Sequence, residues 1–150
     1  MIIIDTNALV LLLIGLIDTN LIETHKRTSI YEEEDFDNLV SVIGNINQLI
    51  VLPNIWTEVD NLLNNFSSYK HSYIENLKST IKNTTEKYFE SNSITEKEHF
   101  FDLGLTDSLV LECAMDCKLL ITSDSKLSDY AIANGIRVYD VVKARNERFT

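Results

Sequence analysis

A chain of 150 residues, 45% of them hydrophobic, is long enough to bury one core and too short for a second independent domain, so residues 1–150 are expected to form one unit. The longest apolar run, residues 8–17, is shorter than the roughly 18 residues of a membrane span, and no basic segment precedes it as in a secretory signal, so no membrane association and a cytoplasmic location are expected. A net charge of −10 excludes a broad basic surface for phosphate backbones, unless carboxylates gathered around divalent cations account for the excess and reverse its sign locally.

In chain order, Ile2, Ile3 and Ile4 are a β-branched run ending at Asp5, and the periodic apolar stretch behind them reads as strand followed by buried helix. Glu32, Glu33, Glu34 and Asp35 read as a solvated surface loop. Residues 39–46 predict a short helix and residues 49–52 a strand, and Pro53 is placed to end that strand before a helix over about 55–66. Residues 69–90, poor in apolar side chains, predict one partly exposed helix or two shorter ones. An apolar helix follows Asp107. Leu119, Leu120 and Ile121 then lead through Thr122 and Ser123 to Asp124, a helix ends at Gly135, and residues 136–139 give a last strand. Strands alternating with helices imply a parallel sheet covered on both faces. Cys113 and Cys117 read as core side chains without a disulfide, and His25, His71 and His99 have no ligand spacing.

Ligands of an open parallel sheet bind at the carboxyl ends of its strands, where acids remote in sequence can converge. Asp5 and Asp124 each follow a strand and precede a helix, a position that also suits an N-cap. Glu58 lies at the edge of the stripe formed by Ile55, Val59, Leu62, Leu63 and Phe66, with no basic residue within a helical turn. Keeping it charged there requires a metal or a long-range salt bridge. Asp107 shares a helical face with Val110, Leu111 and Ala114 and should project inward; its alternative role is a first-turn acid favoured by the helix dipole. An oxygen-only set suits magnesium or manganese, whereas zinc prefers nitrogen and sulfur. One such ion can acidify a water and a second can stabilise the leaving oxygen of a phosphodiester, and the sequence leaves one or two ions open.

The segments IIIDTN, WTEVDNLL, GLTDSLVLECA and LLITSDSKLSDYAIANGIRVYD, in that order, resemble the PIN-domain nucleases, especially the VapC-type ribonuclease toxins. The likeness covers both ends of the chain and residues 49–66, while residues 18–34 and 67–101 match only in being helical or loop-like. It implies a three-layer α/β/α domain with a central, mainly parallel sheet. It also implies an acidic quartet, Asp5, Glu58, Asp107 and Asp124, that binds Mg2+ or Mn2+ and cleaves single-stranded regions of RNA. Homodimerisation and, for a toxin of a type II toxin–antitoxin pair, an antitoxin protein partner are further implications.

Asn7, with Thr122 or Ser123, would support the quartet by hydrogen bonding, or serve as helix caps and turn residues. Asp129 is a reserve carboxylate expected to face solvent. Lys70, His71, Lys78, Lys82 and Lys87, interleaved with Tyr69, Tyr73 and Tyr88, are the densest basic group; they could contact RNA or form a solvated face balanced by Glu75, Glu86 and Glu90. The competing functions are a PIN-like binding module that has lost turnover, to which the negative charge points, and a structure-selective DNA nuclease using the same chemistry.

Overall fold

Short runs of isoleucine, leucine and valine without polar alternation make strands that must be covered on both faces, and these form the middle of the sheet. The computed structural model describes residues 1–150. Its strands are β1 (Ile2–Ile4), β2 (Leu49–Val51), β3 (Thr85–Glu86), β4 (Leu119–Thr122) and β5 (Val138–Asp140), in the order β3-β2-β1-β4-β5 with every pair parallel. The helices are α1 (Thr6–Ile17), α2 (Glu33–Ile43), α3 (Pro53–Leu63), α4 (Lys70–Asn83), α5 (Phe100–Ala114), α6 (Ser125–Ala133) and α7 (Val141–Glu147). Right-handed crossovers place the helices of the steps β1 to β2 to β3 on one face, and those that follow the reversal to β4 on the other. Accordingly α1 packs against α2, α3 and α4, and α5 against α6, which makes three layers. No helix is long and apolar enough to cross a membrane.

The reversal also sets the place of the site. The chain leaves β1 toward β2 and β3, then returns to the other side of β1 as β4, opening a crevice beyond the carboxyl ends of β1 and β4. Pairing of Ile2 with Leu119, Ile3 with Leu120 and Ile4 with Ile121 brings the residues that follow the two strands side by side.

α1 is apolar around its whole circumference because it lies between the sheet and the outer helices, and Ala8 through Ile14 are all buried. Close packing onto α2 depends on Gly15, where a Cβ would stand 2.1 Å from the Phe36 ring.

Several sequence expectations need correcting. Glu32 to Asp35 is no solvated loop: Glu32 caps α2, the next three residues form its first turn, and Asp35 is buried. The reason is remote in sequence. Arg148, just past α7, donates from Nε and Nη2 to the two Asp35 oxygens, both at 3.1 Å, and from Nη1 to Glu34 at 2.8 Å. A bidentate guanidinium thus draws Asp35 inward, while Glu33 and Glu34 stay exposed. α2 therefore begins earlier than expected and stops at Gly44, whose φ of 73° ends it. α3 starts with Pro53 in its first turn, not after it, since proline fits where the N–H has no helical partner. The basic stretch makes a single helix, α4, followed by the two-residue strand β3. α5 begins at Phe100 and bends at Gly104, with a φ of 77°, before the segment carrying Asp107. The sheet itself, parallel throughout and between two helical layers, bears out the expected three-layer α/β/α fold.

Gly15→Ala should cost about 1–3 kcal/mol of overpacking, against about 1 kcal/mol gained in helix propensity. With contact to an immobile, buried ring, the upper part of that range applies. Urea denaturation should show a lower midpoint at unchanged m-value; an unaltered midpoint would contradict the close α1–α2 contact.

Candidate metal centre

β1 ends at Asp5, which is buried and continues the ladder through its N–H to the Ile121 carbonyl at 2.9 Å. Its Oδ1 accepts the Thr6 N–H at 2.7 Å and its Oδ2 the Thr122 hydroxyl at 2.9 Å. The Thr122 oxygen in turn accepts the Asp124 N–H at 3.0 Å, so one buried hydroxyl ties the ends of β1 and β4 together. Asp124 caps α6 through the Leu127 N–H at 2.9 Å. The capping role foreseen for Asp5 and Asp124 is real, and it places both carboxylates at the crevice.

Glu58 is half-buried beside the apolar face of α3, as its spacing indicated, and its Oε2 accepts the Thr6 hydroxyl at 2.9 Å. None of the ion pairs in the molecule includes it, so the long-range salt bridge is not made. Asp107, in the opening turn of α5 after the Gly104 bend, is half-buried and belongs to none of those ion pairs. Burial first, then the charges of Asp5, Asp124 and Glu58, push its carboxyl from 3.8 up to about 7. Burial likewise raises Asp5, against the lowering hydrogen bonds from Thr6 and Thr122, with Asp124 and Glu58 adding to the rise. Acids from four separate stretches are therefore brought together at one rim.

Of the supporting residues, Thr122 acts as expected. Ser123 lines the cleft without a hydrogen bond to any of the acids. Asn7 is corrected: it is exposed and bonds none of them, whereas Thr6 beside it holds Glu58. Because α1 is apolar around its circumference from Ala8 onward, its pattern gave no sign of which of these neighbours faces inward. Asp129 faces solvent, as expected. Lys70, Lys78 and Lys82 are exposed on α4 with no bond to the quartet, and Lys78 pairs with Glu75 at 3.6 Å in an exposed bridge. Cys113 and Cys117 are free thiols, His25 stacks on Phe66, and His99 bonds Glu112.

Asp107 and Asp124 line an open cleft of about 530 Å³ together with Asp102, Ser123, Ser125 and Lys126. Lys126 is its one basic lining residue, and sequence reading missed it. Its position in the turn after Asp124 was the available signal. Through Ser123 and Ser125 the cleft meets a second one of about 570 Å³ between α6 and α7.

The donor chemistry fits a hard divalent cation: four carboxylates at one rim, no imidazole or thiolate among them, and an Asp107 raised first by burial and then by the neighbouring negative charges. With the side chains as they stand, no three acids, histidines or cysteines are grouped closely enough to hold an ion, and Asp5 and Glu58 each turn an oxygen to a threonine hydroxyl.

Asp107 keeps a proton in the folded chain that the unfolded chain has already released between its ordinary 3.8 and about 7. Stability should therefore fall as pH rises through that window and level off above it for this group, and Asp5 acts in the same direction. Thermal melts of chelator-treated protein should show this fall, and Asp107→Asn should reduce it; a wild-type profile that stays flat would contradict the crowding of charge. No family model, curated protein or solved structure matches this chain.

Proposed function

We propose that this chain is a metal-dependent endoribonuclease of the kind its PIN-domain resemblance implies, working in the cytoplasm as the toxin of a toxin–antitoxin pair. The observation that carries the proposal is the meeting of Asp5, Glu58, Asp107 and Asp124 at the switch point of a parallel sheet, each other acid raising the pKa of Asp107. These four would hold Mg2+ or Mn2+, as one ion or two. A bound cation of this kind supplies Lewis acidity, acidifying the attacking water and stabilising the departing oxygen of the phosphodiester.

The remaining work falls to the chain itself. Thr6 orients Glu58 and Thr122 orients Asp5, so both carboxylates are held from behind. Lys126 is placed to meet a substrate phosphate against the acidic background. The continuous path past Ser123 and Ser125 suits a strand lying across the rim, and hence cleavage within a chain. An antitoxin and a second copy of the chain are the partners this reading expects.

Purified protein with Mn2+ or Mg2+ should cut single-stranded RNA, and chelation should stop it. Asp5→Asn, Asp107→Asn and Asp124→Asn should each lower kcat by about 100-fold or more, while Thr6→Val should weaken metal affinity or activity by about 10–100-fold. Expression should arrest growth, and Asp5→Asn should relieve the arrest. Intact transfer RNAs and structured RNAs after incubation at high concentration of metal-loaded protein would defeat the enzymatic reading.

A second reading, a binding module without turnover, draws on the net charge of −10 and the open arrangement of the acids. Calorimetry with Mn2+ separates the two: tight binding abolished by Asp107→Asn speaks for the nuclease, and no binding in the wild type speaks for the module.

A further inference from the structure

A third concavity lies on the other flank of α5. Leu103 and Asp107 line the acidic cleft, whereas Leu105 and Leu109 line a groove of about 180 Å³ closed by Asn54, Lys87, Tyr88 and Phe89. Asn54 stands one helical turn before Glu58 on α3, so groove and acids share two elements. Lys87 and Tyr88 belong to the basic stretch seen in the sequence, but they lie past the end of α4, away from its solvated lysines.

The groove has features that nothing in the acidic site explains. Lys87 is its one charged lining residue, in a chain whose net charge is −10. Tyr88 is 76% exposed and Phe89 38%, so two aromatic rings are held in water beside it. The Asn54 Nδ2 is buried with no hydrogen-bond partner. α3 opens against the groove without a side-chain cap; Pro53 has no N–H, and Ile55 and Trp56 donate to the Leu52 carbonyl, which leaves the Asn54 N–H for another acceptor. The unsatisfied groups are donors, the charge is positive, and the apolar surface is aromatic.

We infer that this groove seats a base of single-stranded RNA next to the phosphodiester to be cut. The inference rests on the nuclease reading for its substrate, and on the groove alone for its location. Flat aromatic faces stack on bases of any sequence, while an amide and a lysine meet acceptor-rich base edges and phosphate. A peptide helix would need a longer groove with several anchor positions along it, and about 180 Å³ suits one ring.

The test uses the full chain carrying Asp5→Asn, which prevents turnover, with a fluorescein-labelled single-stranded oligoribonucleotide of about 8 nucleotides followed by anisotropy. Tyr88→Ala and Phe89→Ala should each weaken binding by about tenfold. Lys87→Ala should weaken it too and reduce its salt dependence. Tyr88 is mostly exposed, so its variant should melt as the parent does, and that melt is the control. In the unmodified chain under chelator, adenosine monophosphate should shift the amide resonances of Asn54, Tyr88, Phe89 and Leu105. Unchanged affinity in both aromatic variants, absence of those shifts, or loss of self-association in place of RNA binding would each overturn the inference. If the chain cuts RNA while the aromatic variants bind it normally, the groove assignment fails and the nuclease stands. If it cuts no RNA yet the monophosphate occupies the groove, the nuclease fails and the base site stands.

Discussion

The register between β1 and β4 is the constraint on which the rest of the molecule depends. Ile4 opposite Ile121, extended by the Asp5 N–H to the Ile121 carbonyl, sets Asp5 beside Thr122 with Asp124 two residues beyond. A slip of one residue would turn every side chain of β1 to the opposite face and carry Asp5 out of the crevice. Ile2, Ile3 and Ile4 are covered on both sides, so their hydrophobicity alone does not choose the register; the Thr122 hydroxyl, shared between the two strand ends, does. Helices then bring in the remaining acids, Glu58 from one layer and Asp107 from the other.

Such an arrangement has an electrostatic cost. Carboxylates that share a partly buried rim repel one another, and the protein offsets this with neutral donors rather than with lysine or arginine. Threonine hydroxyls and backbone N–H groups hold the oxygens of Asp5, Glu58 and Asp124, and Asp107 absorbs what is left as a raised pKa. The acidic run at the start of α2 is treated in the opposite way. There Arg148 neutralises Asp35 and Glu34 directly, in a contact that fixes the end of the chain to α2. The net charge is thus a poor guide to what the surface can bind. Lys126 in the acidic cleft and Lys87 in the groove across α5 are the single positive charges of those two concavities.

The parts of the fold that were legible in the sequence are those set by local pattern. Central strands appear as β-branched runs because both faces are covered, acids directly after strands must lie at the sheet's rim, and the spacing of Glu58 from Ile55 and Leu62 put it at the edge of a buried stripe. What was not legible depends on partners remote in sequence. Asp35 looked solvated because Arg148, its partner, is separated from it by 113 positions. β3 is two residues long and both are exposed, so it carries no hydrophobic signal. Thr6 could not be told from Asn7 because the residues after them in α1 are apolar in every direction and mark no inward face. The bend at Gly104 was equally hidden: one glycine in an apolar helix pattern does not reveal a positive φ.

The proposed nuclease stands on whether Asp5, Glu58, Asp107 and Asp124 share a cation. The most direct measurement is anomalous diffraction at the manganese edge from crystals grown with Mn2+. The account predicts anomalous density at the rim within bonding distance of carboxylate oxygens from Asp5 and Asp107, with Glu58 and Asp124 in or next to the same shell. Manganese at some other surface while this rim holds only water would contradict it.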